Sequence, residues 1–168
     1  MPRTTRTTHT LIPKKPLVGI LTGSPSDLEL VQKTKQTLDR LKIPCELKVL
    51  SAHRTPDRVV TYVKKAPQRG IEVLIACAGM AAHLAGVVAG HTFLPVIGVP
   101  LNSKQMGGLD ALLSTVQMPP GIPVATVAVD GTTNAAFLAA RILALKYPTI
   151  NSALQTQLEE QRKLYSKI

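Results

Sequence analysis

Apolar residues in this chain gather into five short runs, and between the runs they recur at helical intervals. The first run, Leu17 to Leu21, meets Thr-Gly-Ser-Pro-Ser, the pattern of a parallel strand buried on both faces and ending in a tight loop. Beyond Ser26 the spacing turns helical through Leu28, Val31, Leu38 and Leu41. Ser26 with Glu29 fits a capping box, so Ser26 is the expected N-cap. The second run, Cys45 to Leu50, is closed by Ser-Ala-His-Arg-Thr-Pro. Thr55 is placed as the N-cap of the next helix and Pro56 as its first residue, where a missing N–H costs nothing. That helix is expected to reach about Arg69 and to stop at Gly70.

Ile71 to Ala78 reads as the third strand, broken by Gly79. The small residues that follow, from Met80 to Thr92, let a helix lie close to a sheet. Pro95 to Val99 is the fourth strand, Gly107 to Gln117 a helix, Met118 to Pro123 a turn and Val124 to Val129 the fifth strand. Asn134 to Leu145 is Ala-rich and apolar nearly all round, which predicts a buried helix. Pro148 is expected to break the chain before a last polar helix over about Asn151 to Ser166. This alternation predicts an α/β fold: a doubly wound parallel sheet with right-handed crossovers, helices on both faces and an extra C-terminal helix. Five strands point to the flavodoxin-like order 2-1-3-4-5, in which ligands bind beyond the carboxyl ends of the strands. The expected organisation is one α/β domain over residues 16–168, its C-terminal helix at 149–168, behind a disordered basic tail at 1–15.

Composition narrows the class. The 168 residues are 45% hydrophobic and only 18% charged, enough for a real core. Aromatics make up 3% with no Trp, so that core is built from Val, Leu, Ile and Ala. The net charge of +10 raises nucleic acid as a partner. Single-strand readers add aromatic stacking platforms, which this chain lacks. The charge also crowds the ends, at Arg3, Arg6, Lys14 and Lys15 and again at Arg162, Lys163 and Lys167. The reading is solvated termini plus a site for an anionic small molecule, with no nucleic-acid partner. Cys45 and Cys77 form no C-x-x-C pair and read as buried reduced thiols of a cytoplasmic protein. No apolar stretch reaches ~18 residues, so no membrane span is expected. The basic start lacks the apolar helical face of a transit peptide.

Three polar clusters stand at the ends of the first three strands, which the strand order makes adjacent. After the first come Ser24, Ser26 and Asp27; after the second, Ser51, His53 and Arg54; after the third, Gly79 and His83. Hydroxyls and free N–H groups at a helix start suit a phosphate, and Asp27 can accept from a ribose diol. Arginine suits phosphate or carboxylate, and an imidazole suits proton transfer near neutrality. There is no Walker A loop, no dinucleotide fingerprint and no G-x-S-x-G elbow. His83, flanked by Ala and Leu, reads from spacing alone as core or supporting. His9 lies in the tail, and His91 at a helix end without a nameable partner. The residues alone thus describe a site for a phosphorylated, hydroxylated small molecule with one histidine ready to move a proton. They point to no metal and no cofactor.

The segments Gly-Ser-Pro-Ser-Asp, Ser-Ala-His-Arg-Thr-Pro, Ala-Gly-Met-Ala-Ala-His-Leu-Ala-Gly, Pro-Val-Ile-Gly-Val-Pro, Gly-Leu-Asp-Ala-Leu-Leu-Ser-Thr-Val-Gln-Met-Pro, Gly-Ile-Pro-Val-Ala-Thr-Val-Ala-Val and Asn-Ala-Ala-Phe-Leu-Ala-Ala-Arg-Ile-Leu stand in order over about Val18 to Leu143. In these the chain resembles the class I N5-carboxyaminoimidazole ribonucleotide mutases of purine biosynthesis. The resemblance implies an isomerase that moves a carboxylate from the exocyclic nitrogen of the aminoimidazole to ring carbon C4, through carbon dioxide and the free aminoimidazole ribonucleotide, without cofactor or metal. It implies His53 as general acid and base. The substrate-binding set it implies is Ser24, Ser26, Asp27, Ser51, Arg54, Ala78, Gly79 and His83. Asp27 is assigned to the ribose hydroxyls, Ser51 with Arg54 to the phosphate, and Gly79 and His83 to the region of the migrating carboxylate. A cytoplasmic homo-octamer is implied, with the stripe Ile150, Leu154 and Leu158 packed on a neighbour. Met80, Ala85 and Ala111 depart from the family pattern, Met80 standing where many relatives have a second glycine. Direct carboxylation of aminoimidazole ribonucleotide by carbon dioxide, the class II reaction, and a non-catalytic nucleotide-binding module are the competing readings.

Overall fold

Five parallel strands form one sheet: β1 (Val18–Thr22), β2 (Cys45–Val49), β3 (Val73–Gly79), β4 (Val96–Leu101) and β5 (Ala125–Thr126), in the order β2-β1-β3-β4-β5. Six helices connect and extend them: α1 (Leu28–Arg40), α2 (Pro56–Lys65), α3 (Leu84–Ala89), α4 (Leu109–Val116), α5 (Thr132–Ala144) and α6 (Pro148–Tyr165). This computed structural model describes residues 11–103 and 106–166. Most of the expected tail, with His9, Arg3 and Arg6, lies outside the described residues, as does Lys167. The expected flavodoxin-like order is the one observed.

Alternation along each strand sorts side chains to two cores. Val18, Ile20, Val73, Ile75, Cys77, Ile97 and Val99 face α1, α5 and α6. Leu21, Leu74, Ala76 and Val96 face α2 and α3. The Ala-rich helix behaves as expected: Ala135, Ala136, Ala139 and Ala140 are fully buried. Their small size lets α5 lie against α1, and the Thr34 hydroxyl donates across to the Thr132 carbonyl at 3.0 Å. On the other face Gly98 admits α4. A Cβ there would stand 2.4 Å from Thr115 Cγ2 and 2.8 Å from Val124 Cγ1.

Several boundaries differ from expectation. Ser26 is not an N-cap. Pro25 starts a 3-10 turn over Pro25–Asp27, so winding begins a turn early; Ser24 caps it, its Oγ accepting from the Ser26 N–H at 3.3 Å. Asp27 then stands at the N-cap of α1. Thr55 holds the N-cap position of α2, but its hydroxyl turns back, accepting from Ser51 N–H at 3.0 Å and donating to the Ser51 carbonyl at 3.2 Å. α2 stops at Lys65, ahead of Pro67. A 3-10 turn over Pro67–Arg69 carries the chain to Gly70, whose φ of +95° only glycine adopts freely. β5 is two residues long, not six. Val127 N–H still donates to the Gly98 carbonyl at 3.1 Å, and the chain then turns so that Asp130 N–H reaches the Pro100 carbonyl at 2.9 Å. Pro148 begins α6 instead of preceding it, as a proline without N–H can. The apolar stripe of α6 also starts in the chain's own core: Ile150 is fully buried, Leu154 is half-buried against the same cluster, and only Leu158 is exposed.

The base of the sheet is tied by polar contacts. Glu72 accepts from Tyr147 Oη at 2.6 Å and from Lys146 Nζ at 2.7 Å. Glu46 of β2 accepts from Tyr62 Oη at 2.7 Å and pairs with Arg69, whose guanidinium lies over the Tyr62 ring.

Candidate active site

The carboxyl ends of β1, β2 and β3 lie side by side, so the three loops that follow them meet in one cavity of about 810 Å³. Arg54 stitches the first two loops together: its Nη2 donates to the Gly23 carbonyl at 2.7 Å. Ser51 Oγ holds the arginine from below, accepting from its backbone N–H at 3.1 Å and from Nε at 3.4 Å. In the first loop the Ser24 and Ser26 hydroxyls lie 2.7 Å apart, and Ser26 Oγ donates to Asp27 Oδ1 at 3.2 Å. Three hydroxyls, a carboxylate and a guanidinium thus face the same space, with the five N–H donors of arginine only partly used by protein.

The third loop brings the second imidazole. His53 Nε2 and His83 Nδ1 are 2.8 Å apart, with the rings edge to face at 79° and centroids 4.9 Å apart. One of these nitrogens donates and the other accepts, so the protonation of one ring fixes the tautomer available to the other. Of the two readings that spacing left for His83, core or supporting, this removes the first. It is exposed at the N-cap position of α3 and makes no side-chain cap, which leaves its ring to meet His53. Gly79 lets β3 close against β4, because a Cβ there would come within 3.2 Å of the Leu101 carbonyl oxygen. Next to Ala78 in β3, burial and then the Asp27 charge push the Cys77 thiol far up, and it packs in the core as a small apolar side chain and does not line the cavity.

A sequence model of the family described as AIR carboxylase matches residues 17–164. The chain belongs to the AIR carboxylase family. An N5-carboxyaminoimidazole ribonucleotide mutase of Pyrococcus horikoshii is 55% identical over 150 residues, which is 89% of this chain and 85% of that one. A protein of the same description from Aquifex aeolicus is 57% identical over 134 residues, 80% of each chain. The crystal structure of Treponema denticola PurE is 32% identical and superposes with a TM-score of 0.84 over 91% of this chain and 96% of that one.

In this AIR carboxylase family member every site residue expected from sequence lines the one cavity: Ser24, Ser26, Asp27, Ser51, His53, Arg54, Ala78, Gly79 and His83. Sequence reasoning missed a fourth wall. Asn102 and Ser103, just beyond β4, also line it, and Ser103 Oγ donates to Asp110 Oδ2 at 3.2 Å. The signal was present in the strand order, since β4 is the other neighbour of β3 and its polar exit falls at the same end of the sheet. His91, by contrast, lies on a separate apolar cavity, its Nδ1 bonded to the Val87 carbonyl at 2.8 Å. Among the described residues no three of His, Cys, Asp and Glu gather as a metal-ligand set.

Proposed function

We propose that this chain isomerises N5-carboxyaminoimidazole ribonucleotide to 4-carboxy-5-aminoimidazole ribonucleotide in purine biosynthesis. The observation that carries the reading is the His53–His83 contact, set in the wall of a cavity that also presents groups for a phosphorylated ribose. The C–N bond of the carbamate breaks, its electron pair returns to nitrogen, and His53 supplies the proton that nitrogen needs. C4 then attacks the released carbon dioxide, and His53 takes the C4 proton, ending in the state in which it began. These steps balance without metal or cofactor. Ser51 and Arg54 hold the phosphate, with Ser24 and Ser26 beside it; Asp27 accepts from the ribose hydroxyls; Ala78, Gly79 and His83 flank the reacting carboxylate. Holding both fragments in one place supplies the proximity a bimolecular recombination lacks.

The working form in this reading is a cytoplasmic homo-octamer. Association of subunits is supported by an apolar stripe on α4, where Leu109, Leu113 and Val116 recur at helical spacing and are each about half exposed; the number eight and the location are carried over from the family resemblance. An assay with the carbamate isomer tests the activity. The wild type should convert it, and His53→Asn should lose orders of magnitude in kcat while still binding. If turnover instead rises with bicarbonate on aminoimidazole ribonucleotide and the carbamate is not used, direct carboxylation takes the place of this reading.

A further inference from the structure

Met80 combines a strained backbone with an exposed apolar side chain at the site, and the mechanism above gives it nothing to do. Its φ is +55°, a region that glycine enters freely and a side chain enters only at a cost. Among the described residues only Lys42 and Asp130 share this feature without being glycine. Lys42 follows the end of α1, a usual place for it, and Asp is a type that tolerates it. Met80 has neither reason. The surroundings impose the turn: Gly79 is fixed against the Leu101 carbonyl, Ala82 is buried, and His83 N–H donates to the Ala81 carbonyl at 2.8 Å. A glycine would make this turn without strain. Methionine makes it with strain and places a thioether, 63% exposed, on the cavity that His53 and His83 line.

We propose that the Met80 side chain is the wall that retains carbon dioxide beside the acceptor carbon during the isomerisation. The proposal rests on the mutase reading. Carbon dioxide is small and neutral and offers the polar groups of the site little to hold, so its fate is decided by escape against recapture. Most other large side chains on this cavity are polar and bring water with them, whereas a flexible thioether fills irregular space and excludes it. Escape leaves aminoimidazole ribonucleotide on the protein and carbon dioxide in solution. Recarboxylation then draws on dissolved carbon dioxide.

The test is label partition. The wild type, Met80→Gly and Met80→Leu are each given unlabelled carbamate isomer in buffer equilibrated with 13C-labelled bicarbonate, and mass spectrometry reads the labelled fraction of the carboxylated product. Enzyme is kept in excess of substrate so that conversion outruns exchange of the free carbamate with bicarbonate, and the labelled fraction of an enzyme-free control is subtracted. The wild type should show little label, Met80→Gly several-fold more, with free aminoimidazole ribonucleotide accumulating, and Met80→Leu should stay near the wild type. Met80→Gly removes backbone strain, so it should fold at least as stably, with a raised denaturation midpoint. Equal label in all three, with turnover intact, overturns the Met80 role and leaves the mutase reading standing. No conversion of the carbamate by the wild type overturns both.

Discussion

At the scale of single residues, the site depends on side chains held by few bonds. Among the described residues the His53 ring meets only His83, so His53→Asn removes the proton carrier without disturbing the core. Loss of a general acid and base should lower kcat by roughly 10²–10⁴-fold, read by direct assay of the carbamate isomer. Arg54→Lys keeps the charge but loses the fork that reaches the Gly23 carbonyl and Ser51 together. A raised KM with a smaller change in kcat is expected, since the substitution loosens phosphate binding more than the proton steps. Cys45 gives a separate handle on stability. Burial, with Asp39 adding to it, pushes its thiol from 9.0 up to about 11. The protonated thiol's contribution is therefore complete below pH 9, where the unfolded chain is protonated as well, and is lost as pH rises through about 11. Cys45→Ala should show a shallower fall in denaturation midpoint between those values than the wild type.

At the scale of elements, the contact between α4 and the sheet is the sharpest test of packing. Gly98→Ala would force a Cβ into Thr115 and Val124, with Ala85 Cβ also only 3.3 Å away. Overpacking of this kind costs about 1–3 kcal/mol, measurable as a shift in urea midpoint at constant slope. Which elements exist was legible because buried parallel strands are continuous apolar runs, and Leu17 to Leu21 or Ile71 to Ala78 admit little else. Ends were less legible where two rules compete. Ser24 and Ser26 flank Pro25 and both resemble caps; the proline decides, by starting the turn between them. Val127 and Val129 keep a strand's alternation, yet the chain leaves the ladder after Thr126, and no local pattern announces that. His83 has apolar neighbours in sequence, so its meeting with His53 is visible only once β2 and β3 are both paired to β1. Asn102 and Ser103 were hidden by an expected strand end at Val99, two residues short of the observed Leu101.

At the scale of the whole molecule, the exposed stripe on α4 connects one subunit to its proposed assembly. Light scattering on the wild type should report eight subunits per particle. Leu113→Asp places a charge in the middle of the stripe and should give smaller particles with an unchanged far-UV spectrum. The two edges of the sheet carry a different consequence. β2 bounds one side with Glu46 and Lys48 set among its apolar residues, and β5 bounds the other with only Ala125 and Thr126 in the ladder. A parallel sheet with long apolar edges would template further strands from neighbouring chains, the first step toward fibrils. Here one border is charged and the other is too short to seed a ladder. Protection against aggregation during folding therefore falls to the outermost strands, and Lys48→Val should surface first as turbidity on refolding, before any loss of native stability.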